Sequence, residues 1–119
     1  MTHTIARHGE TTVLYCSPDG ALVASEADAV DLIGETYGTD ASVVVLPVER
    51  LDDRFFTLRT RLAGDIVAKF VNYRIRLAIL GDISERLAAS ETLRAFVHEA
   101  NRGKQFWFVA DNDELLARL

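Results

Sequence analysis

Two aspartates, Asp82 and Asp111, each follow an apolar run that is typical of a β-strand. If both runs are parallel strands, their carboxyl ends meet at one edge of the sheet and bring the two carboxylates near each other. A carboxylate at that edge can act as a general base. Each aspartate can also be explained by a structural role, as a loop residue or as the N-cap of the next helix. The sequence favours this structural role over that of a general base.

Basic side chains concentrate in one segment of an acidic chain. Residues 50–76 carry seven Arg or Lys and three Asp, a local charge of +4, whereas the formal net charge of the chain is −5. Arg54, Arg59 and Arg61 lie near the start of a predicted helix, where a cation and free backbone N–H groups can hold a phosphate group or the carboxylates of a partner. Scattered, solvated arginines are the alternative explanation.

Two hydroxyl groups, those of Thr57 and Thr60, lie beside these arginines. They could accept a phosphoryl group, or they could stabilise the turn before the helix. The sequence favours the turn, since no recognisable kinase context surrounds them.

Other reactive side chains form no pattern that predicts chemistry. Cys16 ends a predicted strand with no histidine nearby, so we interpret it as a small buried apolar residue. The three histidines show none of the spacings of a metal site, and the seven glycines form no nucleotide-binding fingerprint. The sequence therefore predicts no metal and no cofactor.

Length and composition predict one ordinary globular domain over residues 1–119. Apolar residues make up 49% and charged residues 26%, and the isoelectric point is near 5.1. An acidic chain of this kind is not expected to bind nucleic acid or membrane surfaces. A single cysteine, no leader-like apolar block at the start and no run long enough to span a bilayer together predict a cytoplasmic protein.

The hydrophobic periodicity predicts an α/β fold. Strands are expected at 4–8, 11–16, 42–46, 75–80 and 105–110, with a further short strand at 21–24. About four helices are expected: one capped by Ser25, one from Thr57 to Tyr73, one after Ser84 or Ser90, and one after Asp111. This order implies a mixed, mainly parallel sheet with an N-terminal antiparallel hairpin.

Three stretches carry a resemblance to known families: ADAVDLIGE (27–35), FFTLRTRLAGDIVAKFVNYRIRLAILGD (55–82) and NRGKQFWFVAD (101–111). They resemble an uncharacterised bacterial domain-of-unknown-function family, and the order of elements looks like the STAS fold of SpoIIAA-like anti-sigma-factor antagonists. That resemblance implies a single STAS-like domain with a regulatory role through partner exchange. In SpoIIAA-like proteins a serine at the helix start is phosphorylated. Here no Asp-Ser pair stands at the corresponding position, and Thr57 and Thr60 are the nearest hydroxyls.

Two functions are therefore carried forward, with a homodimer as a third hypothesis. The first is a non-catalytic regulatory or protein-interaction module, and the sequence leans towards it. The second is a small-molecule or anion-binding enzyme that uses Arg59 with Asp82 or Asp111. The residues expected to bind a partner or an anion are Arg54, Phe55, Arg59, Thr60, Arg61, Gly64, Asp82 and Asp111.

Overall fold

Five strands form one mixed sheet in the computed structural model, which describes residues 3–119. Their order in the sheet is their order in the chain: β1 (His3–His8), β2 (Thr11–Cys16), β3 (Ala41–Pro47), β4 (Arg76–Leu80) and β5 (Phe106–Val109). β1 and β2 pair antiparallel, and the remaining pairs are parallel. The predicted hairpin and the mainly parallel sheet are confirmed.

Five α-helices occur within residues 3–119, one more than the four or so that the sequence predicted. They are α1 (Glu26–Gly34), α2 (Leu62–Asn72), α3 (Ser84–Ala89), α4 (Glu91–Arg102) and α5 (Asn112–Arg118). The extra helix arises because a short helix begins at Ser84, which is its first residue and not its cap, and a second helix is capped by Ser90. Asp82 accepts a hydrogen bond from Ser84 N at the start of α3, and Ser90 Oγ accepts one from Leu93 N at the start of α4.

The helices divide unequally between the two faces of the sheet. Buried side chains of α1, α2 and α4 share one apolar core with one face, whereas Leu115 of α5 packs on the opposite face against Trp107 and Val109. Consecutive right-handed crossovers in one direction place every crossover helix on the same face. The strands after the hairpin are nearly all apolar because both faces are covered.

The helix expected from Thr57 begins instead at Leu62. Two 3₁₀ turns, Asp53–Phe56 and Leu58–Thr60, occupy the chain before it, and Arg61 then takes a left-handed conformation with φ 67°. The expected strand at 21–24 is also wrong. Val23 alone forms a bridge, and its partner is Leu51 in the loop after β3. The segment therefore pairs with this loop and not with a strand of the sheet.

A Schellman motif ends α2. The amide of Arg74 donates to the carbonyl oxygen of Val71, and the amide of Ile75 donates to that of Phe70, both at 3.0 Å. Arg74 has φ 59°, so arginines stand in the left-handed conformation immediately before and after this helix. Their backbone positions are fixed by the fold, and their side chains are exposed at both ends of α2.

Candidate functional site

The loop between β3 and α2 holds most of the predicted binding residues, and aromatic side chains anchor it. Phe55 is fully buried, and its ring centroid lies 6.4 Å from that of Phe106 and 6.2 Å from that of Phe108. A side chain with no exposed surface cannot touch a partner. Phe55 therefore belongs to the core, and its inclusion among the expected contact residues is corrected.

Two basic residues of the loop, Arg50 and Arg54, make hydrogen bonds that hold the loop in place. The guanidinium of Arg50 donates to the carbonyl oxygens of Ala21 and Ser17, at 2.6 and 2.9 Å. Arg54 donates from Nε to Asp52 Oδ1 at 3.0 Å and from Nη2 to the carbonyl oxygen of Ala24 at 3.2 Å. This neighbouring cation and the Arg54 backbone N–H hold the pKa of Asp52 below its usual range.

Two further basic residues have neighbours on other elements. Lys69 Nζ lies 3.5 Å from Glu26 Oε1 of α1, and the Arg76 guanidinium carbon lies 5.6 Å from the Trp107 ring centroid. Among residues 3–119, no hydrogen bond or ion pair engages the side chains of the other three cations, Arg59, Arg61 and Arg74. Of the seven basic residues in the positive segment predicted from the sequence, these three exposed arginines around α2 are therefore the ones available to bind a ligand.

Arg59 lines a cavity of about 360 Å³. The 3₁₀ turns provide one side of it through Phe56, Thr57 and Leu58, and Ser90 and Thr92 at the start of α4 provide the other. A guanidinium beside hydroxyl groups and an aromatic ring suits a carboxylate attached to an apolar side chain.

A larger apolar cavity, of about 510 Å³, lies between α2 and α4. Val67 and Val71 of α2 face Phe96 and Ala100 of α4 across it, and Phe106 contributes from the sheet. Val71 is 48% exposed, and Tyr73, just beyond the end of α2, is 45% exposed. Apolar side chains this open to solvent are a common mark of an interaction surface.

The two cavities follow one face of α4. Thr92 lines the smaller cavity, while Phe96, Ala100 and Gly103 line the larger one. These positions repeat at helical spacing, so they share one side of the helix. We call the two cavities together, from Arg59 at one end to Gly103 at the other, the α2–α4 trough.

Gly64 widens the trough near its Arg59 end. It is exposed in the first turn of α2, and a Cβ added there would meet no heavy atom within 4 Å. A side chain at this position would project into open space without disturbing the helix. Gly64 is therefore the point at which the trough can be filled by substitution.

Arg59 and Asp82 line different cavities. Asp82 lines a separate cavity of about 240 Å³, and its pKa lies below the usual range because the Ser84 backbone N–H and the Ser84 hydroxyl hydrogen-bond to it. Asp111 is the N-cap of α5 and accepts from Glu114 N at 2.9 Å. Asp82 also lines a second, smaller cavity together with Arg86, and Arg59 lines neither of these two cavities. The pairing of Arg59 with Asp82 or Asp111 as anion clamp and base stays a prediction.

The two threonines before α2 differ in their surroundings. Thr60 Oγ1 lies 2.7 Å from the Arg54 carbonyl oxygen and 2.8 Å from that of Thr57, and it accepts from Leu62 N at 3.3 Å. Its hydroxyl is thus engaged in the turn. Thr57 is exposed and lines the cavity of about 360 Å³ beside Arg59.

Cys16 is buried as a free thiol, and burial raises its pKa to about 12. Within residues 3–119, no group of three His, Cys, Asp or Glu side chains is arranged to hold a metal ion. Burial of the thiol and its raised pKa both disfavour the thiolate, which is the reactive form.

Alkylation of Cys16 is therefore expected to be more than about a hundredfold slower in the folded chain than in the unfolded chain at pH 8, where an ordinary thiol near pKa 8.5 is partly ionised. Because the folded pKa is raised, the thiol stabilises the fold below the unfolded pKa, and that stability is lost as pH rises towards about 12. Mass spectrometry after iodoacetamide treatment, with and without urea, measures both rates on the chain's single cysteine. Equal rates would contradict the burial.

Of the residues that line the trough, the sequence predicted Thr57, Arg59 and Gly64 as candidate site residues, but it did not predict the apolar lining. Val71 and Phe96 recur at helical spacing with other apolar residues, a pattern that predicts a buried helix face and does not indicate a cavity. The signal available in the sequence was the combination of these apolar positions with the small residues Ala68 and Ala100. Small residues on facing helices leave space between them.

Comparison with protein families places the chain in one of them. A family described as Domain of unknown function (DUF4180) matches residues 8–119. The chain belongs to that family, as the match covers every element except the first part of β1. No curated protein and no solved structure gave a significant match. No helix in residues 3–119 has the length and apolar character needed to cross a membrane.

Proposed function

We propose that this protein is a non-catalytic protein-interaction module that binds an acidic amphipathic helix of a partner protein in the α2–α4 trough. The observation that carries the proposal is the pairing of an apolar depression with Arg59, an arginine without a side-chain partner among residues 3–119 that lines one end of it. Apolar residues of the partner would contact Val67, Val71 and Phe96. Its acidic side chains would meet Arg59, which lines the smaller cavity of the trough, and the exposed Arg61 just before α2.

The dimensions of the trough support a helix as the occupant. α4 has 12 residues, so the depression along it is on the order of 18 Å long, which matches three turns of helix. α2 and α4 both return from the carboxyl edge of the sheet to its amino edge, and they leave space between them. A helix laid in that space would present its anchors at intervals of three and four residues.

Charge supports an acidic partner. Arg59 and Arg61 lie at one end of α2, Arg74 lies at the other, and all three are exposed. Opposite charge at the rim of an interface mainly accelerates association and selects the partner. A second copy of this chain, with its formal net charge of −5, is the competing occupant and is distinguished by the test below.

A regulatory role in the manner of STAS-like proteins is part of this proposal. The consecutive strand order and the opening hairpin are compatible with a STAS-like fold. A bacterial origin belongs to the proposal because of the family resemblance, and a cytoplasmic setting belongs to it because the chain has a single cysteine. The exposed hydroxyl of Thr57 lies beside Arg59. A phosphoryl group there would compete with an acidic partner for the same guanidinium.

The test is comparative capture from lysate of the source cells with four forms of the tagged chain. Wild type and the control Glu10→Lys, which changes charge on the β1–β2 turn, are expected to recover the same protein. Arg59→Glu with Arg61→Glu reverses the rim charge, and Gly64→Trp fills the trough; both are expected to lose that protein. Circular dichroism confirms that all four forms are folded.

A synthetic peptide of the recovered protein's acidic helix then gives the affinity by fluorescence anisotropy. Both trough variants are expected to weaken binding roughly tenfold or more, since charged contacts and apolar anchors each contribute on the order of 1–3 kcal/mol. A recovered protein that binds all four forms equally, or recovery of no protein, would overturn the proposal. Recovery of the chain itself would replace the acidic partner with a homodimer.

A further inference from the structure

The 240 Å³ cavity that contains Asp82 lies at a different place from the trough, where the chain leaves the sheet in two directions. After β4 the chain turns to α3 and α4 on one face, and after β5 it turns to α5 on the other. Divergence of this kind opens a crevice beyond the carboxyl ends of two parallel strands, which is where α/β proteins commonly bind ligands.

The inner wall of this cavity is apolar and fixed. Ile79, Val97 and Phe108 line it, and each is less than a tenth exposed. The cavity is somewhat smaller than the roughly 300–1,000 Å³ of sites for drug-sized ligands. Its interior therefore suits one small ring or a short branched alkyl group.

The rim carries acidic groups contributed from both sides of the crevice. Asp82 follows β4, and Glu114 belongs to α5; the side chain of Glu114 has no hydrogen-bond or ion-pair partner among residues 3–119. Asn101 Oδ1 accepts from Phe108 N at 2.8 Å, so its oxygen is committed to the backbone of the edge strand. Among residues 3–119, no Arg or Lys lines the cavity itself. The guanidinium groups of Arg94 and Arg118 lie beside it, where they donate to the carbonyl oxygens of Leu87 and Asn101 at 2.6 and 2.9 Å.

From this arrangement we propose that the cavity binds a small organic cation, a primary amine on an apolar group, with the apolar group against Ile79 and Phe108 and the ammonium between Asp82 and Glu114. The apolar wall removes the apolar group of the ligand from water, and the two carboxylates favour a positive charge. The low pKa of Asp82 keeps that carboxylate ionised at neutral pH. An anion of the same shape would meet two like charges.

Phenethylamine is the probe, with 2-phenylethanol as the neutral and 3-phenylpropanoate as the anionic control of similar shape. Titration followed by ¹H–¹⁵N correlation spectra is expected to give saturable shifts at Gly81, Asp82, Ser84 and Ala110 for the amine, with a dissociation constant on the order of 1 mM. The alcohol is expected to bind at least about fivefold more weakly, because it lacks the charge-assisted hydrogen bonds. The propanoate is expected to cause no saturable shift.

Asp82→Asn with Glu114→Gln removes both charges while keeping the size of the side chains and the acceptor for Ser84 N. It is expected to weaken amine binding roughly tenfold, whereas the distant Glu10→Gln leaves the affinity unchanged. Leu116→Gln, on the exposed side of α5, controls for changes in that helix. Any of four results would overturn the proposal. These are equal binding of the three probes, unchanged amine affinity in the double variant, chemical shifts that rise linearly with amine concentration without saturating, and chemical shifts confined to the α2–α4 trough.

Discussion

Phe55→Ala is expected to lower the free energy of unfolding by about 3–5 kcal/mol, the usual loss for a fully buried phenylalanine. Phe55 has no exposed surface, and its ring packs edge-on against Phe56, Phe106 and Phe108. Truncation leaves a void between the loop and the sheet. A domain of this size is stabilised by about 5–15 kcal/mol in total, so the loss is a large share of its stability.

Urea denaturation monitored by Trp107 fluorescence measures this loss. Phe55→Leu is the matched variant and is expected to cost less than about half as much, because it keeps most of the apolar volume. It also keeps the prediction testable if the alanine variant does not fold. A loss below about 1 kcal/mol for Phe55→Ala would show that the loop is not anchored as described, since surface substitutions usually have effects of that size or less.

Gly81→Ala is expected to destabilise the fold by about 2–4 kcal/mol, combining backbone strain with a steric clash. Gly81 ends β4 with φ 146°, a conformation that residues with a side chain rarely adopt. An added Cβ would also lie 2.8 Å from Cγ2 and 3.0 Å from Cβ of Val48. The β4–α3 connection would have to shift, and with it the position of Asp82.

The clash can be separated from the strain by a double-mutant cycle with Val48→Ala, which removes Cγ2. The double variant is expected to lose less stability than the two single variants together. Gly64→Ala is the control for glycine replacement itself, and it is expected to stabilise the fold by about 0.5–1 kcal/mol because Gly64 is helical and its surroundings are open. Strict additivity of Gly81→Ala and Val48→Ala would argue against contact between the two sites.

The sheet could be predicted because its strands are specified locally. β3 and β5 are short apolar runs bounded by residues that end strands, and Ser25 and Asp111 cap their helices as their spacing indicated. The start of α2 could not be predicted in this way. Leu58 and Leu62 have helical spacing, and nothing about Arg61 as a residue type indicates the left-handed conformation that interrupts the helix.

The candidate sites could be predicted only in part, because they depend on distances between helices that are far apart in the sequence. Asp82 and Asp111 follow β4 and β5 at the carboxyl edge of the sheet, as the strand order predicted, yet their surroundings differ because α3 and α4 leave one face and α5 the other. Likewise, the α2–α4 trough exists because two helices on one face stand apart. Such spacing results from packing of the whole domain.

The consecutive order of the strands bears on how the chain acquires its structure. Each strand pairs with the strand before it, so every pairing closes a modest loop and the sheet can extend in the direction of synthesis. The hydrogen bond from Tyr15 to Asn112 spans 97 residues and requires the sheet between them. We therefore expect α5 to dock last, and the 240 Å³ cavity that it borders to be complete only when the rest of the domain has folded.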